Sequence, residues 1–449
     1  MSSNNRSNKN NILEGNLWKG LVLFALPIAL SSLLQQLFNA ADQAVVGRFA
    51  GGVALAAVGA NTTVVSLFVN VFSSCSIGAN ALIARKIGEG NLKVINGIVH
   101  TAMTFALVCG IALSLLCQLL AGPLLSLIGT PADVLPGAVL YLRIYAFGFP
   151  FALLYNFGAA ILRSTGDTKR PMIALIIAGV INVILNLILV VGFKMSVAGV
   201  AIATTISNLV SCFAVIWFLY REQGELQLRV SRFHINKNNL LQILQIGAPA
   251  SLQSGVFSVA NVCIQSGINS LGSAVVAGVS VVSNFEHISY FITNSFCQAA
   301  TTYCGQNYGA NQKKRCRQVM YIAIAEAFLF GAIFDWTIIL CRYSLISIFT
   351  TETAVVEAAV AKMLVIMILH YTICFYEVPC AALRSVGKSL GPALLTIVGC
   401  VAFRVCWLFT VFKAFPNLKA LMAVYPASWA FTTVLVWIYY LKVRKQVFG

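Results

Sequence analysis

The sequence predicts an all-α integral membrane protein. Twelve transmembrane helices are expected in two six-helix bundles, related by a pseudo-two-fold axis along the membrane normal. Three observations predict this. The 449 residues are 59% hydrophobic and only 10% charged, against roughly 25% charged in soluble domains, and apolar runs long enough to cross a bilayer recur throughout. The second half repeats the first at one offset: Arg163-Ser164-Thr165-Gly166 returns as Arg384-Ser385-Val386-Gly387, 221 positions on. The same shift carries Gly51 to Gly272, Val58 to Val279, Gly88 to Gly309, Ser126 to Ser347, Thr130 to Thr351, Tyr155 to Tyr376 and Pro171 to Pro392. The basic residues, finally, gather at alternate loops.

In chain order, the spans are expected near 18–45, 53–83, 94–121, 136–162, 171–192, 197–220, 241–267, 274–304, 318–341, 357–382, 391–413 and 420–441. One set of span ends carries 22 Lys and Arg, the other only five: Arg48, Lys194, Arg342, Lys413 and Lys419. Cytoplasmic loops carry the excess of basic residues, so both termini are expected in the cytoplasm and the two halves share one orientation. Residues 1–15 then form a disordered cytoplasmic tail, 16–220 the N-terminal bundle, 221–240 a cytoplasmic linker, 241–441 the C-terminal bundle and 442–449 a basic cytoplasmic tail. The net charge of +17 sits in these short loops, which argues against nucleic acid as a partner. The repeat is far longer than a solenoid unit of roughly 20–50 residues. A duplicated domain in so apolar a chain points to a transporter.

Polar side chains inside spans carry the functional signal. In the first span Ser31, Gln35, Asn39 and Asp42 share one helix face by their spacing, above a kink expected at Pro27. Asp42 is the only acid in the first six spans. It reads either as a residue meeting headgroup water at the outer end or as a cation or proton site open to a water-filled cavity. Asn182 and Asn186 share a face of the fifth span, and Thr204 and Asn208 a face of the sixth. Carboxylate, amide and hydroxyl oxygens suit a hard cation, although interhelical hydrogen bonding also accounts for such residues. Shifting Asp42 by the repeat lands on Cys263, so an ion site of this kind is expected in the first half alone. In the eighth span lie Glu286 and His287, then Tyr290 and Asn294 on the His287 face. Glu326 and Asp335 lie in the ninth span, and His370, Cys374 and Glu377 share a face of the tenth. One helix supplies too few ligands for a metal site, and none is expected. Arg404 of the eleventh span is expected to pair with one of these acids or to contact substrate, while Arg143 and Lys362 are expected to snorkel from span ends.

The chain resembles the multidrug and toxic compound extrusion (MATE) family of secondary transporters. The resemblance is carried by LPIALSSLLQQLFNAADQAVVGRFAG (26–51), GANALIARKIGEGN (78–91), LRSTGDTKRPM (162–172), INVILNLILV (181–190), AGVAIATTIS (198–207), GQNYGANQKKR (305–315) and LRSVGKSLGP (383–392). It implies two bundles facing a central cavity and exchange of Na⁺ or H⁺ for an internal amphipathic, often cationic, compound. It assigns cation or proton coupling to Asp42, Asn182, Asn186 and Thr204. Some family members carry a second Asp where this chain has Asn186. A second-half site involving Glu286, Glu377 or Arg404 is a further expectation, with Gln35, Asn39, His287, Tyr290 and Asn294 as candidates to line a substrate cavity.

The expected function is therefore antiport by alternating access in the cell membrane. The partners are an amphipathic small molecule and membrane lipid, with no cofactor beyond the coupling ion and a monomer sufficing. Two alternatives stand beside it: a flippase for lipid-linked oligosaccharide, which should present several cationic cavity residues, and a membrane-embedded enzyme, for which no nucleophile–base motif is recognisable.

Overall fold

A computed structural model describes residues 11–448 apart from Val230 and Arg232. No strand occurs among the described residues. The helices are α1 (Leu17–Phe49), α2 (Gly52–Gly88), α3 (Leu92–Leu127), α4 (Leu135–Ala146 with Phe149–Ser164, bent by 48°), α5 (Lys169–Gly192), α6 (Ser196–Tyr220), α7 (Lys237–Asn269), α8 (Ser273–Gly309), α9 (Lys313–Leu340), α10 (Thr353–Ser385), α11 (Leu390–Phe412) and α12 (Leu418–Val447). Ten of these are long and apolar enough to cross a membrane, and the bent α4 makes eleven. The remaining helix, α7, carries Gln242, Gln245, Gln253, Asn261 and Gln265 and is less apolar, yet it occupies the repeat position of α1. The chain is a multi-pass membrane protein.

Local chemistry repeats with the sequence. Helices α2 and α8 are both preceded by a left-handed glycine, Gly51 with φ 88° and Gly272 with φ 98°. A side chain would strain that backbone. A π-helical stretch begins at Leu187 in α5 and another at Leu408 in α11, one repeat apart. The helices outrun several expected spans because apolar content, not hydrogen bonding, ends a span in the sequence. Thus α2 continues to Gly88, where Arg85 (2.9 Å) and Lys86 (2.7 Å) pair with Glu89.

The chain divides into two compact units. Of the described residues, one holds those within 30–251 and the other 11–29 together with 252–448. Each boundary lies two residues beyond a proline inside a helix, Pro27 in α1 and Pro249 in α7. The units thus exchange the first part of their leading helix relative to the linear repeats expected from the sequence. In the first unit the start of α7 lies against α2 through glycines. A Cβ on Gly78 would strike Ile243 O and the Gly247 backbone, and one on Gly247 would strike Cys75 O. Small residues allow such close approach in membrane helices.

The tail expected to be disordered over 1–15 is corrected from Asn11 onward, since residues 1–10 lie outside the described residues. Asn11–Glu14 is helical, and Ile12 is buried in the second unit beside Leu17, Leu21 and Phe24. Asn307 Nδ2 donates to Ile12 O at 3.3 Å and Arg315 Nη2 donates to Gly15 O. These bonds fix a backbone that sequence polarity alone left loose. The basic residues Lys442, Arg444 and Lys445 lie on α12 itself, which runs to Val447.

Candidate ion-coupling site

Asp42, on the last third of α1, is buried in the first unit. Asn182 and Asn186, one turn apart on α5, are buried as well, and Asn186 is the last residue before the π-helical stretch Leu187–Gly192. Such stretches recur at functional sites because they re-aim side chains. Asn186 Nδ2 donates to Asp42 Oδ1 and, at 3.3 Å, to Asn182 Oδ1. Asn182 Nδ2 donates to Thr204 Oγ1 of α6 at 3.5 Å. Thr204 Oγ1 lies 3.4 Å from Asp42 Oδ2 but only 2.9 Å from Val200 O. The hydroxyl proton therefore goes to the carbonyl, leaving Asp42 Oδ2 with only a long, shared donor.

The four residues singled out for coupling thus form one hydrogen-bonded ring on three helices. Its oxygens are two from Asp42, one from each Asn and one from Thr204. Asn186 Oδ1 is buried without a hydrogen-bond partner, an arrangement that costs free energy unless something else satisfies it. A carboxylate short of donors and an orphaned amide oxygen are the acceptors a hard cation takes up. A proton on Asp42 would meet part of the same need.

The other candidates are distributed differently. Gln35 and Asn39 are exposed although they share the helical spacing of Asp42, and His287 and Tyr290 are exposed while Asn294 is half-buried. Glu286, Glu377 and Arg404 do not pair with one another. Glu286 meets Lys362 at 3.0 Å, Glu377 meets Arg384 at 3.8 Å, and Arg404 Nε donates to Ser428 Oγ at 3.1 Å. Of the two expectations for Arg404, an acid pair or substrate contact, the acid pair is corrected: among the described residues no acid lies within 4.0 Å of it. Lys362 is also corrected. It does not snorkel but is buried, donating to Ser283 Oγ (2.8 Å) and Val279 O (3.2 Å) and forming its ion pair with Glu286. A second buried polar group joins Ser289 Oγ to His370 Nδ1 at 2.8 Å, with Asp335 Oδ2 3.8 Å from the same nitrogen. The sequence marked Asp335 and His370 as ionisable residues within spans, but no spacing signal tied them to Ser289 on a third helix.

The MatE family profile matches residues 27–188 and 249–408, one match to each repeat. The chain belongs to the MatE family. Its relatives include the probable multidrug resistance protein YoeA of Bacillus subtilis, 27% identical over 96% of this chain and 95% of that protein. The probable multidrug resistance protein NorM of Thermotoga maritima is 26% identical over 88% and 86%, and a FAD transporter of Shewanella oneidensis is 24% identical over 78% of each chain. Among solved structures, an outward-facing multidrug resistance MATE family transporter of the MOP superfamily superposes with a TM-score of 0.90 at 20% identity, covering 97% of this chain and 98% of that one. The Vibrio cholerae MATE transporter VcmN, in its bent form, gives 0.87 at 21% identity over 96% and 97%. The MatE fold accounts for twelve spans in this chain, including the polar α7.

Proposed function

We propose that this MatE protein is a secondary active antiporter of the cell membrane, exporting amphipathic drugs or toxic metabolites in exchange for Na⁺ or H⁺. The observation that carries the reading is the Asp42–Asn186–Asn182–Thr204 ring, an acid with too few donors beside an amide oxygen with none. The relatives named for multidrug resistance support the export of small molecules, and the basic loop ends support cytoplasmic termini.

In this reading the ion enters from outside and binds the ring. It changes how α1, α5 and α6 pack and so favours release of the exported molecule. Emptying the ring toward the cytoplasm favours the inward-open state. The ion drives the cycle only through its different affinity for the two states. A membrane potential adds about 2.3 kcal/mol per charge per 100 mV, a factor of about 50 in the coupled equilibrium.

The test is efflux of a panel of cationic, neutral and anionic dyes from vesicles holding the purified protein, with Na⁺ and pH gradients imposed separately. Antiport requires at least one dye to move against its gradient when one ion gradient is present. If no dye moves under either gradient, the exporter reading fails.

A further inference from the structure

Three Lys and Arg side chains buried in the second unit lie outside the proposed ion ring. In two of them the charge is balanced locally: Lys362 with Glu286, and Arg384 with Glu377. The third, Arg404, is different. Arg404 is 4% exposed. Its Nε is used by Ser428, whose hydroxyl donates on to Tyr425 O at 2.8 Å. Its guanidinium carbon lies 4.4 Å from the Tyr425 ring centre and 5.8 Å from that of Phe257. Its two terminal amino groups make no hydrogen bond or ion pair among the described residues. Those groups form the fork that grips an oxyanion at two points.

The repeat sharpens the contrast. Shifting the ion ring by 221 positions takes Asp42 to Cys263, Asn182 to Phe403, Asn186 to Trp407 and Thr204 to Tyr425. Arg404 therefore belongs to the stretch that supplies ion ligands in the first half, beside the ring that replaces Thr204. Where one repeat places a carboxylate and neutral oxygens, the other places a cation between aromatic faces. Aromatic rings offset part of the cost of burying a guanidinium, but a buried charge without a counter-ion remains unfavourable. A ligand oxyanion would complete it.

We propose that Arg404, flanked by Tyr425 and Phe257, binds the carboxylate or phosphate of an amphipathic molecule that also carries a flat apolar part. The proposal rests on the exporter reading for its physiological role and revises the cationic substrate expected from the sequence. The same oxyanion chemistry is offered by a transported solute and by an acidic phospholipid headgroup.

The experiment uses the full-length protein purified in detergent. Riboflavin and flavin mononucleotide share one ring system and differ by a phosphate. The phosphorylated flavin should bind at least roughly tenfold more tightly to the wild type, as expected for a charge-assisted pair. Arg404→Gln should abolish that preference, and Arg404→Lys should keep part of it. Independently of flavin binding, inorganic phosphate replacing chloride at equal ionic strength should raise the thermal midpoint of the wild type but not of Arg404→Gln. Repeating the flavin titration in nanodiscs of phosphatidylcholine and of phosphatidylglycerol separates the sources. Competition by the acidic lipid assigns the site to a headgroup, and its absence assigns it to a solute. If neither the flavin preference nor the phosphate shift depends on Arg404, the proposal is overturned. Dye efflux reads the exporter function separately, so either can fail without the other.

Discussion

Asn186 donates its side-chain amide to Asp42 Oδ1 across 144 residues of sequence, joining α5 to α1 inside the first unit. The bond orients the carboxylate, and it leaves the Asn186 carbonyl oxygen buried and unpartnered. One residue thus supplies Asp42 with its best donor and the ring with its spare acceptor.

Asn186→Ala removes both roles. A hydrogen bond to a charged acceptor contributes about 1.5–3 kcal/mol, so the ion concentration for half-maximal efflux should rise at least tenfold. Asn182→Ala removes only bonds of 3.3 and 3.5 Å. It should raise that concentration less, about threefold. Titrating dye efflux against the coupling ion ranks the two.

Lys362 and Glu286 behave as one unit. Lys362→Met leaves the acid without its buried partner, and breaking such a pair costs about 3–5 kcal/mol. The double variant Lys362→Met/Glu286→Gln should recover most of the loss, because no unpaired charge remains. Thermal midpoints of the purified proteins test this. A double variant no better than the single one would show that Lys362 packs rather than pairs.

The glycines separate backbone strain from crowding. Nothing lies within 4 Å of a Cβ built on Gly51 or Gly272, and both have positive φ. Alanine at either should cost the same, about 1–2 kcal/mol. Gly78→Ala meets the α7 backbone, where neither partner can yield, and should lower the thermal midpoint further than either.

Ile12 anchors the N-terminal segment to the second unit. Ile12→Ala should cost about 2–5 kcal/mol as a buried side chain lost, and Arg315→Ala should free the same segment by removing the bond to Gly15 O. Proteolysis near Glu14 should quicken in both, with the sites of cleavage elsewhere unchanged.

Much of this architecture is legible in the sequence because the repeat and the loop charges are global signals. They set the span count and their order without reference to any contact. The grouping of Asp42, Asn182, Asn186 and Thr204 was reachable for a more local reason: Asn182 and Asn186 are four apart on one face, and an acid inside an apolar span is rare. Lys362 was misread because its partner Glu286 lies on another helix, and a lysine in a span otherwise snorkels. For Arg404 only the acid pair, one of its two expectations, is unmet. Nearby acids were visible in the sequence, but their prior commitment to Lys362 and Arg384 was not. The unit boundaries just beyond Pro27 and Pro249 were hidden because a helix that continues past a proline gives no sign of which neighbours each part will meet.

Whether Asp42 couples the ion to export is decided by comparing wild type with Asp42→Asn in proteoliposomes under an imposed gradient of the coupling ion. The amide is close in size and cannot carry the negative charge. If Asp42 is the coupling acid, Asp42→Asn loses gradient-driven dye accumulation while the purified variant still binds the dye. Full gradient-driven accumulation by Asp42→Asn would rule Asp42 out as the coupling acid.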